Sequence, residues 1–309
     1  MTSTSRPHGI YSPVVTPFTA TLQPDPQRYV RHCRWLIDQG VGLAVFGTNS
    51  EANSMSVDEK KKLLDALVEA GVPTDRMMPG TGCAAFTDTA ELTRHAVSLG
   101  CRHVLMLPPF YYKNVSDEGL FRAYAEVIER VGSDALRIYL YHIPPVAQVP
   151  ITLTLIERLL GAYPQIIAGI KDSSADWNNT SALLERFQPR GFDVFAGSES
   201  FLLATLRGGG AGCITATGNV NPAAIVDLYR HWQEADADAR QQALDATRAV
   251  FAQFPMIPAL KAAIGIHTGD DGWGTVRPPL VPLSAEQRTA LGNALAGAGF
   301  TMPGIEAVA

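Results

Sequence analysis

The chain has 309 residues but only four cysteines, at positions 33, 83, 101 and 213. No two of them are spaced as CxxC or CxxxC, which argues against a disulfide framework or a cysteine zinc site. They read as reduced, mostly buried thiols. The seven histidines are scattered along the chain, so the clustered ligands of a catalytic metal centre are missing and no metal is expected. There is no basic block and the net charge is −5, which gives no footprint for nucleic acid. No window approaches eighteen apolar residues, so no membrane span is expected. No GxGxxG, GKS or GKT follows a strand pattern, so nothing points to a nucleotide cofactor. The opening residues, Met1-Thr-Ser-Thr-Ser-Arg-Pro-His8, carry no secretory apolar run, and the expectation is a cytoplasmic protein.

What is present is an ordinary globular composition, 46% hydrophobic and 18% charged, with one repeated theme. A short apolar run is followed by a Gly-, Thr- or Pro-rich turn and then by an amphipathic stretch. The runs fall at residues 9–15, 42–46, 76–80, 103–107, 137–141, 166–170, 193–196 and 212–215. Helical periodicity separates them over 25–39, 57–70, 88–99, 117–131, 154–162, 176–187 and 200–207. Ser56/Glu59, Thr154/Glu157 and Ser284/Gln287 have the spacing of capping boxes, and Gly40, Gly71 and Gly100 stand where helices should stop. Eight alternating strand–helix units suggest an α/β fold of the (β/α)8 TIM-barrel type. An open doubly wound sheet is the alternative, disfavoured by the strand count and the absent dinucleotide fingerprint. Residues 1–221 are expected to form the barrel. Residues 222–309 are expected to form a C-terminal helical region packed on it, with 277–283 as linker.

In such a barrel the chemistry belongs at the C-terminal ends of the strands. There the run Ile166-Ile-Ala-Gly-Ile170 ends in Lys171. An ammonium is costly to desolvate at the end of a buried strand, and a neutral amine there is a nucleophile toward ketones and aldehydes. Taken alone, Lys171 could equally snorkel to solvent or pair with a carboxylate. The adjacent strand ends in Tyr141, and the second strand ends in Thr48 and Asn49. A phenol to move protons and a turn rich in hydroxyl and amide donors to hold a carboxylate are what Schiff-base chemistry needs. Each also has a plain reading, as a packed barrel tyrosine and as an ordinary turn.

In this setting Val15-Thr-Pro-Phe18, Gly47-Thr-x-x-Glu51, Pro109-Phe-Tyr-Tyr112, Tyr141-x-x-Pro144 and Gly169-x-Lys171-Asp-Ser173 occur in order. The chain thereby resembles the dihydrodipicolinate synthase / N-acetylneuraminate lyase family of class I aldolases. The resemblance runs from Gly9 to about Asn221, with an echo at 277–283. It implies a barrel with a C-terminal helical region, usually a homotetramer, with a dimer as the smaller alternative. It implies no metal and no organic cofactor, and pyruvate or another 2-oxo acid held on a lysine. Carried over residue by residue, Lys171 would be the Schiff-base lysine and Tyr141 the proton relay. Thr48 would join that relay and, with Asn49, hold the substrate carboxylate. Tyr111, or its neighbour Tyr112, would be the tyrosine lent to an adjacent subunit, and Ile214 would line the pyruvate pocket.

The departures narrow the function. Where the synthase branch carries an arginine for its aldehyde substrate, this chain has Val146, which offers no carboxylate fork. Asn49-Ser50 replaces the usual turn residues, and His142 replaces an asparagine, as a packing residue or a substrate contact. Ser198 and Glu199 could meet hydroxyl groups of a second substrate or simply cap a helix. The reading is a metal-independent class I lyase acting on a 2-oxo acid. The alternatives are condensation of pyruvate with aspartate semialdehyde, and a 2-oxo acid binding barrel that serves as sensor or scaffold.

Overall fold

The structure is a computed structural model that describes residues 6–305. Seven parallel strands form one sheet: β1 (Gly9–Ser12), β2 (Gly42–Leu43), β3 (His103–Met106), β4 (Arg137–His142), β5 (Ile167–Asp172), β6 (Asp193–Ala196) and β7 (Gly212–Ile214). Their order, β2-β1-β7-β6-β5-β4-β3, leaves β2 and β3 at the two edges. Residues 77–80 run between those edges and close the barrel. Met78 N–H donates to Leu43 O at 2.8 Å and Leu105 N–H to Pro79 O at 2.8 Å, with bridges Leu43–Met77 and Gly80–Leu105. This eighth stave pairs too briefly to be a regular strand. Gly80 lies so close to Phe46 that a Cβ would collide with its carbonyl, and Pro79 has no N–H to donate.

Helices α1 (Pro26–Asp38), α2 (Val57–Glu69), α3 (Phe86–Ser98) and α4 (Asp117–Val131) follow the first four staves. The short α5 (Pro144–Ala147) precedes α6 (Leu153–Ala162), and α7 (Trp177–Phe187) and α8 (Leu202–Arg207) follow β5 and β6. The last four are α9 (Pro222–His231), α10 (Ala237–Phe251), α11 (Met256–Thr268) and α12 (Ala285–Gly297). Ser56/Glu59 and Ser284/Gln287 form their capping boxes. Thr154 does not. The cap of α6 is Thr152, whose hydroxyl accepts from Leu155 N–H at 3.0 Å. Both threonines precede an apolar stretch, but Thr152 keeps the extended backbone of a cap while Thr154 already lies inside the helix.

The core has two layers. Tyr11, Ala44, Met78, Leu105, Tyr139, Tyr141, Phe195 and Ile214 fill the lumen. Strand residues of the opposite phase, such as Ile138, Leu140 and Ile170, pack outward against the helices. α9 packs on β1, and α11 contacts the turns that follow β2 and β7. Among the described residues no single helix is long and apolar enough to cross a membrane.

Candidate active site

A one-residue bulge sets the phase of the lysine strand. Ile138 pairs with Ile167 but Tyr139 pairs with Gly169, so Ala168 is the extra residue. Arg6 Nη2 donates to Ala168 O at 3.0 Å, and Arg6 Nε lies 3.1 Å from the Asp193 carboxylate. Beyond the bulge Tyr141 pairs with Lys171, so the two side chains share the lumen face. Without the extra residue Tyr141 would stand opposite Ile170. Gly169 is required beneath this pair, because a Cβ there would collide with Asp193 O and stand 2.7 Å from the Tyr139 ring.

Lys171 is 2% exposed, and its Nζ lies 4.2 Å from the centroid of the Tyr141 ring. Among the described residues no carboxylate pairs with it. The adjacent Asp172 is engaged elsewhere, accepting from Thr180 Oγ1 at 2.6 Å, Asn179 Nδ2 at 3.0 Å and Ser174 N–H at 3.0 Å. These bonds fix the strand-to-helix turn and leave the amine facing the phenol. The Tyr141 hydroxyl is 3.2 Å from Thr48 Oγ1, within proton-transfer reach. Lysine, tyrosine and threonine from three staves therefore form one contiguous set.

Thr48, Asn49 and Ser50 make a single 3₁₀ turn. The N–H groups of Thr48 and Asn49 start that turn and have no acceptor within it. The turn is held from several sides. Ser50 Oγ accepts from Gly47 N–H at 3.0 Å, and Thr16 Oγ1 donates to Ser50 O at 2.7 Å. Glu51, in the left-handed region at φ 57°, turns its carboxylate inward. There it accepts from Lys261 Nζ at 2.6 Å and from Arg277 N–H at 2.8 Å. Both Glu51 and Lys261 are fully buried, and burial lowers Lys261 to about 8. Arg277 also pairs with Glu59 at 2.6 Å. The sequence gives little sign of these supports, because Lys261 comes from α11 and Arg277 from the segment that follows it, each more than 200 positions away.

The other singled-out residues are distributed as follows. Ile214 ends β7 and packs in the lumen with Tyr141. Ser198 caps a 3₁₀ turn, its Oγ accepting from Ser200 N–H at 3.2 Å. Glu199 is buried, and its carboxylate accepts from Thr215, Thr217 and Arg248 Nη1, the last at 2.8 Å. It braces the loop after β7. His142 is buried and accepts at Nδ1 from Ile151 N–H at 3.0 Å. Burial pushes its pKa down against the pull of Asp172. Val146 lies on α5, 60% exposed. Tyr111 and Tyr112 stack edge-to-face on each other and are 73% and 74% exposed. Neither is brought to Tyr141 within the chain. Among the described residues no group of three His, Cys, Asp or Glu side chains is placed to hold a metal ion.

Comparison with known proteins places this geometry. A model of the dihydrodipicolinate synthetase family matches residues 6–298. A protein of Chloroflexus aurantiacus named an uncharacterized DapA-like lyase is 37% identical, over 93% of this chain and 95% of its own length. The crystal structure of dihydrodipicolinate synthase from Agrobacterium tumefaciens superposes with a TM-score of 0.85 at 30% identity, covering 94% of this chain and 99% of that one. YagE, a prophage protein of E. coli solved in complex with pyruvate, gives a TM-score of 0.85 at 28% identity, covering 95% and 99%.

Proposed function

The chain belongs to the dihydrodipicolinate synthetase family and is an enzyme of the lyase class, and from that premise we propose that it holds pyruvate or a related 2-oxo acid as an imine on Lys171. The observation that carries the reading is the buried Lys171 amine, unpaired among the described residues and 4.2 Å from the centre of the Tyr141 ring, whose hydroxyl reaches Thr48 at 3.2 Å.

In this reading the amine adds to the C2 carbonyl, and Tyr141 delivers a proton to the carbonyl oxygen as the carbinolamine forms. Loss of water leaves an iminium. Its positive charge acidifies C3, so a C3 proton or a carbon substituent departs and an enamine results. The enamine then adds to an aldehyde, or takes up a proton and is hydrolysed. Thr48 links Tyr141 to the rest of the relay. The N–H groups of Thr48 and Asn49 hold the substrate carboxylate, and Ile214 walls the pocket. Neither a metal nor an organic cofactor takes part. Tyr111 completes the relay of a neighbouring subunit in a homo-oligomer, and the enzyme works in the cytoplasm.

Condensation of pyruvate with aspartate semialdehyde is the second reading, favoured by relatives named 4-hydroxy-tetrahydrodipicolinate synthase at 29% and 30% identity. Val146 weighs against it, since an exposed valine cannot grip the aldehyde's carboxylate. A coupled assay with aspartate semialdehyde separates the two, product formation favouring the synthase. The Schiff-base reading itself is tested by NMR of pyruvate in D2O. Enamine formation exchanges the methyl protons for deuterium in the presence of enzyme, and Lys171→Ala abolishes that exchange. Exchange no faster than with the variant overturns the reading for pyruvate.

A further inference from the structure

Lys60 is a buried lysine that the chemistry at the strand ends leaves unused. It stands near the start of α2 and is 4% exposed. A buried ammonium ordinarily pairs with a carboxylate. The adjacent side chains have charged partners: Glu59 holds Arg277 at 2.6 Å, and Lys61 reaches Glu91 at 2.9 Å. Lys60 has none. Among the described residues its one hydrogen-bond partner is the Cys83 sulfur, at 3.6 Å.

Cys83 lies in the loop that follows the stave at 77–80. It is half-buried, whereas Cys33, Cys101 and Cys213 are buried, so it is the most accessible of the four thiols. The loop is fixed around it. Cys83 N–H donates to Thr89 Oγ1 at 2.9 Å, and a Cβ at Gly82 would collide with the Leu107 backbone. The thiol also donates to Thr81 O at 3.6 Å. All four cysteines are free, and the nucleophile beside Cys83 is an amine.

We propose that hydrogen peroxide joins Cys83 Sγ to Lys60 Nζ as a sulfenamide, a reversible crosslink between α2 and the loop after the stave at 77–80. The sulfur attacks one peroxide oxygen, the O–O bond breaks, and the thiol becomes a sulfenic acid with release of one water. The Lys60 amine then attacks the sulfur. The S–O bond breaks, and the hydroxyl leaves as a second water with a proton from the nitrogen. One peroxide is reduced, the sulfur gives up two electrons, and the chain loses two hydrogens. Burial raises the Cys83 thiol, the Lys60 charge draws it back, and Asp88 opposes Lys60. The first oxidation is therefore the slow step. Closure onto an amine already 3.6 Å away outpaces a second oxidation. The crosslink is independent of the imine chemistry, which uses neither residue.

The test exposes the full-length protein to a small molar excess of hydrogen peroxide. Intact mass is then measured, followed by alkylation of free thiols in denaturant and peptide mapping. The expected product is lighter than the reduced chain by two hydrogens, with the peptides of Lys60 and Cys83 joined and Cys83 protected from alkylation. Dithiothreitol should restore the original mass. Cys83→Ser should abolish the join, and Lys60→Met should divert Cys83 to the sulfinic acid. Closing the chain between Lys60 and Cys83 should also raise the melting temperature by a few degrees, an increase that dithiothreitol reverses. The proposal is overturned if Cys83 of the unaltered chain reaches only the sulfinic or sulfonic acid, pairs with a cysteine of another chain, or stays open to alkylation.

Discussion

Tyr141 and Lys171 face each other across adjacent strands, so substitution can separate their roles. Tyr141→Phe keeps the ring beside the amine but removes the hydroxyl, and should lower turnover by about 10²–10⁴ while leaving imine formation detectable after long incubation. Turnover within tenfold of the unaltered enzyme would remove Tyr141 from the relay. Glu59 gives a second prediction at this scale. The Arg277 guanidinium beside it holds its carboxyl at about 2, against an ordinary 4.5. A depressed carboxyl contributes stability that is present above the ordinary value and is lost as pH falls toward the folded one. Glu59→Gln should therefore lower the melting temperature at neutral pH and flatten its decline between pH 4.5 and 2. Parallel curves would count against the pair. Lys171 was legible in the sequence because a lysine closing an apolar run is chemically conspicuous. Glu199 shows the limit, since its position after a strand leaves a substrate contact and a helix cap equally open, and neither reading announces the bonds its carboxylate accepts from Arg248, Thr215 and Thr217. Arg248 is 49 positions away, and no local pattern announces it.

At the scale of elements, the turn after β2 depends on α11. Lys261→Met leaves the Glu51 carboxylate buried without its ammonium partner, and removal of one member of a buried pair typically costs about 3–5 kcal/mol. Chemical denaturation should show a loss of that size, and Glu51→Gln in the same chain should restore part of it. A single variant within about 1 kcal/mol of the unaltered protein would mean the pair contributes little. The strand–helix alternation was readable because buried parallel strands are continuous apolar runs. The run at 76–80 reads as a full strand in the sequence, but Pro79 and the close approach at Gly80 reduce it to isolated bridges at 77 and 80. The bulge at Ala168 was not readable, because its anchor is Arg6, 162 positions away. That bulge decides which residue stands opposite Tyr141, so the face-to-face placement of lysine and tyrosine had to come from the structure.

For the whole molecule, a site shared between chains predicts how subunits complement one another. Tyr111 is 73% exposed and stands apart from the relay of its own chain. If it serves a neighbour, Tyr111→Phe and Lys171→Ala chains, each nearly inactive alone, should give measurable activity when dissociated together and reassembled. The mixed oligomer then contains sites that join an intact lysine to an intact tyrosine. A mixture no more active than its parents would show that Tyr111 acts in no shared site. The barrel was legible at this scale from the count and spacing of apolar runs. The substrate was not, because the side chains that select it at the strand ends follow no periodicity.

The most direct test of the account is intact-mass spectrometry after borohydride reduction with a panel of 2-oxo acids, followed by peptide mapping. The account predicts one adduct per chain, of the mass of the reduced 2-oxo acid, on the peptide that contains Lys171, and none in Lys171→Ala. An adduct on another lysine, or none with any 2-oxo acid, would contradict it.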